Sequence, residues 1–109
     1  MITYDDFAKV EIKAGKILSA EKIPETEKLL KLSVTFGATD TRQIISGISK
    51  YFPDPAVLVG KVCMFVTNLG PRVIKGFESN GMLFALSTED GKFSLLEPQK
   101  DIPEGTRAY

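Results

Sequence analysis

The chain has no histidine, no tryptophan and a single cysteine, Cys63, among its 109 residues. The lack of histidine removes the commonest general base and the commonest metal ligand. One thiol can neither close an internal disulfide nor build a zinc site by itself, and a lone thiol fits a reducing compartment. No hydrophobic run approaches the length of a membrane span. Net charge is also lacking. Fourteen Lys+Arg balance fourteen Asp+Glu, so gross charge advertises no polyanionic partner, and any such claim rests on where the charges sit.

What is present is an ordinary globular composition, with 43% hydrophobic and 26% charged residues, enough for one domain spanning residues 1–109. Asp5 and Asp6 lie where a secretory leader would need basic residues. We therefore expect a cytoplasmic protein whose native start is Met1.

Thr3 with Asp6 three residues on resembles a helix N-cap, and Tyr4, Phe7, Ala8 and Val10 follow at helical spacing. A short helix over 4–9 is expected, with Tyr4, Phe7 and Tyr51 as packing residues of the monomer core or of a dimer interface. Residues 11–23 read as a long bent strand, with Gly15 as the bulge or bend and Pro24 as its end. Leu30 to Phe36 alternate apolar and polar, the pattern of a strand with one wet face. A turn over 36–40 returns the chain as a second strand over 41–48. Pro53 and Pro55 limit residues 49–60 to one or two helical turns. Residues 61–69 read as a central strand buried on both faces, 73–80 as irregular, 81–87 as a strand, and 93–96 as a short last strand after the Asp90-Gly91 turn. Pro98 and Pro103 keep the tail extended. Helix, three strands, helical insertion, two strands and tail is the order of an all-β, five-stranded OB-fold barrel.

Charge is unevenly spread. Residues 41–82 carry Arg42, Lys50, Lys61, Arg72 and Lys75 against Asp54 and Glu78. In the hairpin pattern Lys31 and Arg42 fall on non-core phases, a face that Ser33, Thr35 and Ser46 can share. Such a face is either an ordinary wet surface or a phosphate-tracking groove.

The segment from Asn68 to Met82, NLGPRVIKGFESNGM, concentrates a strand-end amide, a Gly-Pro turn, two cations and a small polar stretch. It resembles the signature of the tRNA-binding domain found at the C-terminus of bacterial methionyl-tRNA synthetases and in free-standing structure-specific tRNA-binding proteins. Asn68-Leu69, Pro71-Arg72, Gly76, Ser79 and Gly81-Met82 carry the match. Phe7-Ala8-Lys9-Val10-Glu11-Ile12 with Gly15-Lys16-Ile17, Lys28 to Leu32, and Ile45 to Ile48 with Lys50-Tyr51-Phe52 extend it along the chain.

The resemblance implies an OB-fold homodimer that binds tRNA by shape, without catalysis and without cofactor or metal. It puts Asn68, Ser79 and Met82 at the RNA surface, with Lys31, Arg42, Ser46 and Arg72 around them. Cations there would neutralise phosphates, and amide and hydroxyl groups would reach a 2′-hydroxyl or base edge. A methionyl-tRNA synthetase catalytic subunit is a candidate partner; a membrane and a small-molecule substrate are not expected. The CsaA-type export chaperones are a sister family. Ser46-Gly47-Ile48 and Ser79-Asn80-Gly81-Met82 depart from their pattern, which leaves binding of unfolded polypeptide as the alternative. The carboxylate pairs Asp5-Asp6 and Glu89-Asp90 sit where capping and a turn explain them, so an enzyme is not expected.

Overall fold

The computed structural model describes all 109 residues. Helix α1 spans Tyr4–Ala8 and opens with a capping box, the Thr3 hydroxyl accepting from the Asp6 amide while the Asp6 carboxylate accepts from the Thr3 amide. Nine strands follow: β1 Ile12–Lys22, β2 Leu30–Thr35, β3 Thr41–Ser46, β4 Val62–Val66, β5 Arg72–Ile74, β6 Phe77–Ser79, β7 Met82–Leu83, β8 Ala85–Ser87 and β9 Phe93–Leu95. Between β3 and β4 lie two 3₁₀ turns, Ser49–Tyr51 and Pro55–Leu58. Asp54 starts the second by accepting from the Ala56 amide, and Pro55 supplies its fixed φ where no amide donor is needed.

Five strands form one antiparallel sheet in the order β3-β2-β1-β4-β7. The sheet curls because β1 changes partner along its length. Lys16 to Lys22 pair with β2, whereas Ile12 to Lys16 pair with β4. Where β2 has departed, the tail takes its place. The Ala14 amide donates to the Thr106 carbonyl, and the amides of Gly105 and Ala108 donate to the carbonyls of Ala14 and Ile12.

Of the bulge or bend expected at Gly15, the bulge lies elsewhere, in the register shift at Leu18 between Ile17 and Ser19. Gly15 serves packing instead. A Cβ there would stand 2.6 Å from Phe36, 2.7 Å from Val34 and 2.9 Å from Phe65, so only glycine lets these side chains meet across the bend.

Ile17, Leu30, Leu32, Val34, Ile44, Leu58, Cys63 and Phe65 are fully buried inside the curl. The alternation in β2 is realised residue for residue, with Leu30, Leu32 and Val34 inward and Lys31, Ser33 and Thr35 half-buried outward. Two expectations need correction. Residues 73–80 are not irregular: 72–79 form the β5–β6 ribbon. Residues 81–87 are not one strand, since the chain leaves β4 after Leu83 and Ala85–Ser87 pair with β9 in a second, exposed ribbon. Of the expected packing residues, Tyr51 stacks on Phe93 at 4.0 Å, while Tyr4 and Phe7 lie outside the monomer core, since no residue of α1 is buried.

Candidate nucleic-acid interface

An edge strand presents unpaired backbone groups, and these need partners. On β3 they are supplied by the return of the Asn68–Ser79 excursion. The Ile45 amide donates to Ser79 Oγ at 3.0 Å, and the Gln43 carbonyl accepts from the Asn80 amide at 2.9 Å. Gln43 Nε2 adds a bond to the Glu78 carbonyl at 2.9 Å. Two residues later the chain enters β7, the opposite edge of the sheet, so the two edges meet at Ser79–Gly81. Gly81 makes this approach possible, since a Cβ on it would lie 3.0 Å from Ile44 and 3.1 Å from the Val66 carbonyl.

This edge brings together most of the candidate residues. Lys31 pairs with Ile45, the Ile45 amide bonds Ser79, and Ser79 pairs with Arg72. Lys31, Ser79 and Arg72 thus lie along one row crossing β2, β3, β6 and β5. Lys31 Nζ stands 5.4 Å from the centroid of the Phe77 ring, a cation–π approach that links β2 to the ribbon. Arg72 is exposed, and neither cation joins an ion pair. Ser46, next to Ile45, is half-buried with its hydroxyl unengaged by protein. Met82 is 44% exposed, which leaves its thioether body available to a partner. Lys75 sits at the ribbon tip with φ +52°.

Three candidates, Asn68, Ser79 and Arg42, spend their polar atoms internally. Asn68 Oδ1 accepts from the Glu11 amide at 2.8 Å and Nδ2 donates to the Lys9 carbonyl at 2.7 Å, which pins the end of β4 to the chain after α1. Ser79 is buried, and its hydroxyl both accepts from Ile45 and donates to the Gly81 carbonyl. Arg42 does not share the face of Lys31. The turn over 36–40 pairs Thr35 with Thr41, so Arg42 opposes the core residue Val34 and Ser46 opposes Leu30. Both occupy the inward phase of Ile44, at the two ends of β3.

Arg42 Nε and Nη2 grip the Asp40 carboxylate at 2.8 and 3.0 Å, and Nη1 donates to the carbonyls of Thr67 and Asn80. These bonds hold the Asp40 carboxyl below its ordinary value and raise the Arg42 guanidinium. Glu11 is lowered chiefly because the Thr67 hydroxyl donates to it at 2.6 Å, with Lys13 and Arg107 adding positive charge. Burial pushes the Cys63 thiol up to about 11. Sequence reading missed Asp40, Gln43, Thr67 and Phe77, whose parts depend on partners up to tens of residues away.

The curled sheet with little helix is consistent with the OB-like class of small all-β modules. Residues 12–107 match the family model "Putative tRNA binding domain"; the chain belongs to this family. It is 47% identical over its full length to a methionine–tRNA ligase of Methanocorpusculum labreanum, of which it spans 16%. Its fold superposes with a TM-score of 0.91 and 42% identity on a MetRS-related protein from Pyrococcus horikoshii, covering 100% of this chain and 98% of that one. The chaperone CsaA of Bacillus anthracis str. Ames gives a TM-score of 0.87 at 28% identity, covering 100% and 99%. No helix is long and apolar enough to cross a membrane.

Proposed function

We propose that residues 1–109 act as a single, non-catalytic tRNA-binding module of OB-fold type in the cytoplasm. It serves as an auxiliary domain or subunit of a methionyl-tRNA synthetase, or as a free-standing binder. The observation that carries the reading is the row at the β3 edge, where Lys31 and Arg72 supply cations that join no ion pair, with Ser46 at the end of β3 and Met82 exposed on β7. Lys31 and Arg72 neutralise phosphates, Ser46 offers a hydroxyl to a 2′-hydroxyl or base edge, and Met82 lies against an unstacked base or ribose. Asn68, Ser79 and Arg42 shape this surface through their internal bonds. No cofactor or metal takes part.

With so few cations, one copy binds weakly at physiological salt. A homodimer doubles the site, and its interface is the apolar surface of α1 and the tail. There Tyr4, Phe7, Val10 and Tyr109 are exposed beside Arg107 and Ala108.

The test is binding of the purified protein to mixed tRNA and to an unfolded polypeptide at several salt concentrations. Salt-sensitive tRNA binding is expected. Lys31→Ala or Arg72→Ala should each weaken it and reduce the log–log salt slope by about 0.7–0.9. The likeness to CsaA makes the opposite outcome informative, since polypeptide binding without RNA affinity would assign the chain a chaperone role.

A further inference from the structure

Resting on the tRNA-binding reading, we infer that Arg42 is a positioning residue: it latches the Asn68–Ser79 excursion in its RNA-presenting pose and does not itself bind a phosphate. The two roots of that excursion are Thr67 and Asn80. Their carbonyl oxygens converge on one nitrogen, Nη1 of Arg42, at 2.5 and 3.3 Å. Carbonyl dipoles aimed at a common point repel unless a donor lies between them, and a guanidinium supplies two N–H groups there. The other edge of the same plane is taken by Asp40. Four of the five guanidinium N–H donors are therefore used. Below, Arg42 Cζ stands 5.2 Å from the Phe36 ring centroid.

A phosphate would either have to displace Asp40 or make do with the one remaining N–H. The side chain is 23% exposed, unlike the open Arg72 inside the excursion. Strand β3 thereby grips the excursion three times in succession, through Arg42 at its roots, Gln43 at Glu78 and Asn80, and Ile45 at Ser79. Arg42 alone holds both roots. A lysine keeps the charge but has no planar fork with which to reach Asp40 and two carbonyls together.

The experiment compares Arg42→Lys, Arg42→Gln and Arg72→Ala with the parent chain, by tRNA titration across salt and by amide hydrogen exchange. If the latch opens, affinity falls by the fraction of molecules still closed. Both Arg42 variants should then bind about tenfold more weakly when about one molecule in ten stays closed, with the salt slope of the parent. The amides of residues 72–79 should exchange faster while those pairing β1 with β2 keep their protection. Arg72→Ala should do the reverse, lowering the slope and leaving exchange alone.

Native affinity in Arg42→Lys, a slope lowered by about one phosphate contact in Arg42→Gln, or unchanged exchange over 72–79 would each overturn the latch. Should Arg42→Gln not fold, Arg42→Lys carries the test. Should the parent chain fail to bind tRNA, the functional reading falls and the exchange data alone judge the latch.

Discussion

Ser79 Oγ accepts the Ile45 amide hydrogen at 3.0 Å, so a side chain completes the backbone bonding of an edge strand 34 residues away. Ile45 is buried, and no second partner faces its amide. Ser79→Ala removes the acceptor and leaves the donor stranded, a cost of about 1–3 kcal/mol. For a chain of this size each kcal/mol lowers Tm by about 4–8 °C. Calorimetry should show such a drop, and tRNA affinity should fall with it because Arg72 rides on the same ribbon. A Tm equal to that of the parent would mean that water replaces the hydroxyl.

Gly15 and Phe36 define the tightest approach in the core. The Cβ of Gly15→Ala would meet Phe36, Val34 and Phe65 within 3 Å. These groups are buried and closely surrounded, and none is the free end of a flexible chain. Overpacking of this kind costs about 1–3 kcal/mol. Gly15→Val should cost more than Gly15→Ala, and urea midpoints are the measure. Equal midpoints for parent and Gly15→Ala would show that the bend in β1 relaxes freely.

The elements legible in the sequence are those specified by neighbours along the chain. The capping box needs only Thr3 and Asp6, and the alternation of Leu30 to Thr35 declares its buried face in six residues. Pro53 and Pro55 likewise confine 49–60 to short turns. The β5–β6 ribbon escaped because its strands have three residues each and its tip holds a lysine at φ +52°, too little for a period to emerge. The face of Arg42 escaped because the register of the turn decides it, and one residue of slip reverses a strand. The segment Asn68–Met82 was recognisable by residue type. That Asn68 and Ser79 bond inward was not, since Glu11 and Ile45 are distant in sequence.

Acid should loosen the β3 edge and the α1 junction together. Asp40 and Glu11 both have folded-state values below their ordinary ones, the first through the Arg42 bonds and the second through the Thr67 hydroxyl. A lowered carboxyl stabilises the fold fully above its unfolded value, about 4, and that contribution disappears as pH falls through the folded value. Both groups are partly exposed, so each contribution is modest. The urea midpoint should therefore decline as pH drops below about 4–5. Asp40→Asn should be less stable than the parent at neutral pH and show a shallower acid decline. A decline of unchanged steepness would exclude the Asp40–Arg42 pair as its source.

The exposed apolar surface of α1 bears on affinity through valency. Tyr4 is 79% and Phe7 44% exposed, although both lie on a helix that the chain holds firmly. Arg107 Nη2 donates to the Ala8 carbonyl and Asn68 Nδ2 to that of Lys9. An anchored helix with aromatic groups outward is preorganised for a partner, and in the proposed homodimer a second copy would present the same surface to it. Light scattering should report a dimer. Phe7→Glu introduces a charge at its centre and should give a folded monomer, with β1–β2 exchange protection kept. Linked sites raise affinity without new contacts, so the monomer should lose tRNA affinity although Lys31 and Arg72 are untouched, and its salt slope should shrink toward half. A parent chain that scatters as a monomer, or a Phe7→Glu monomer that binds tRNA with full affinity, would separate dimer formation from RNA capture.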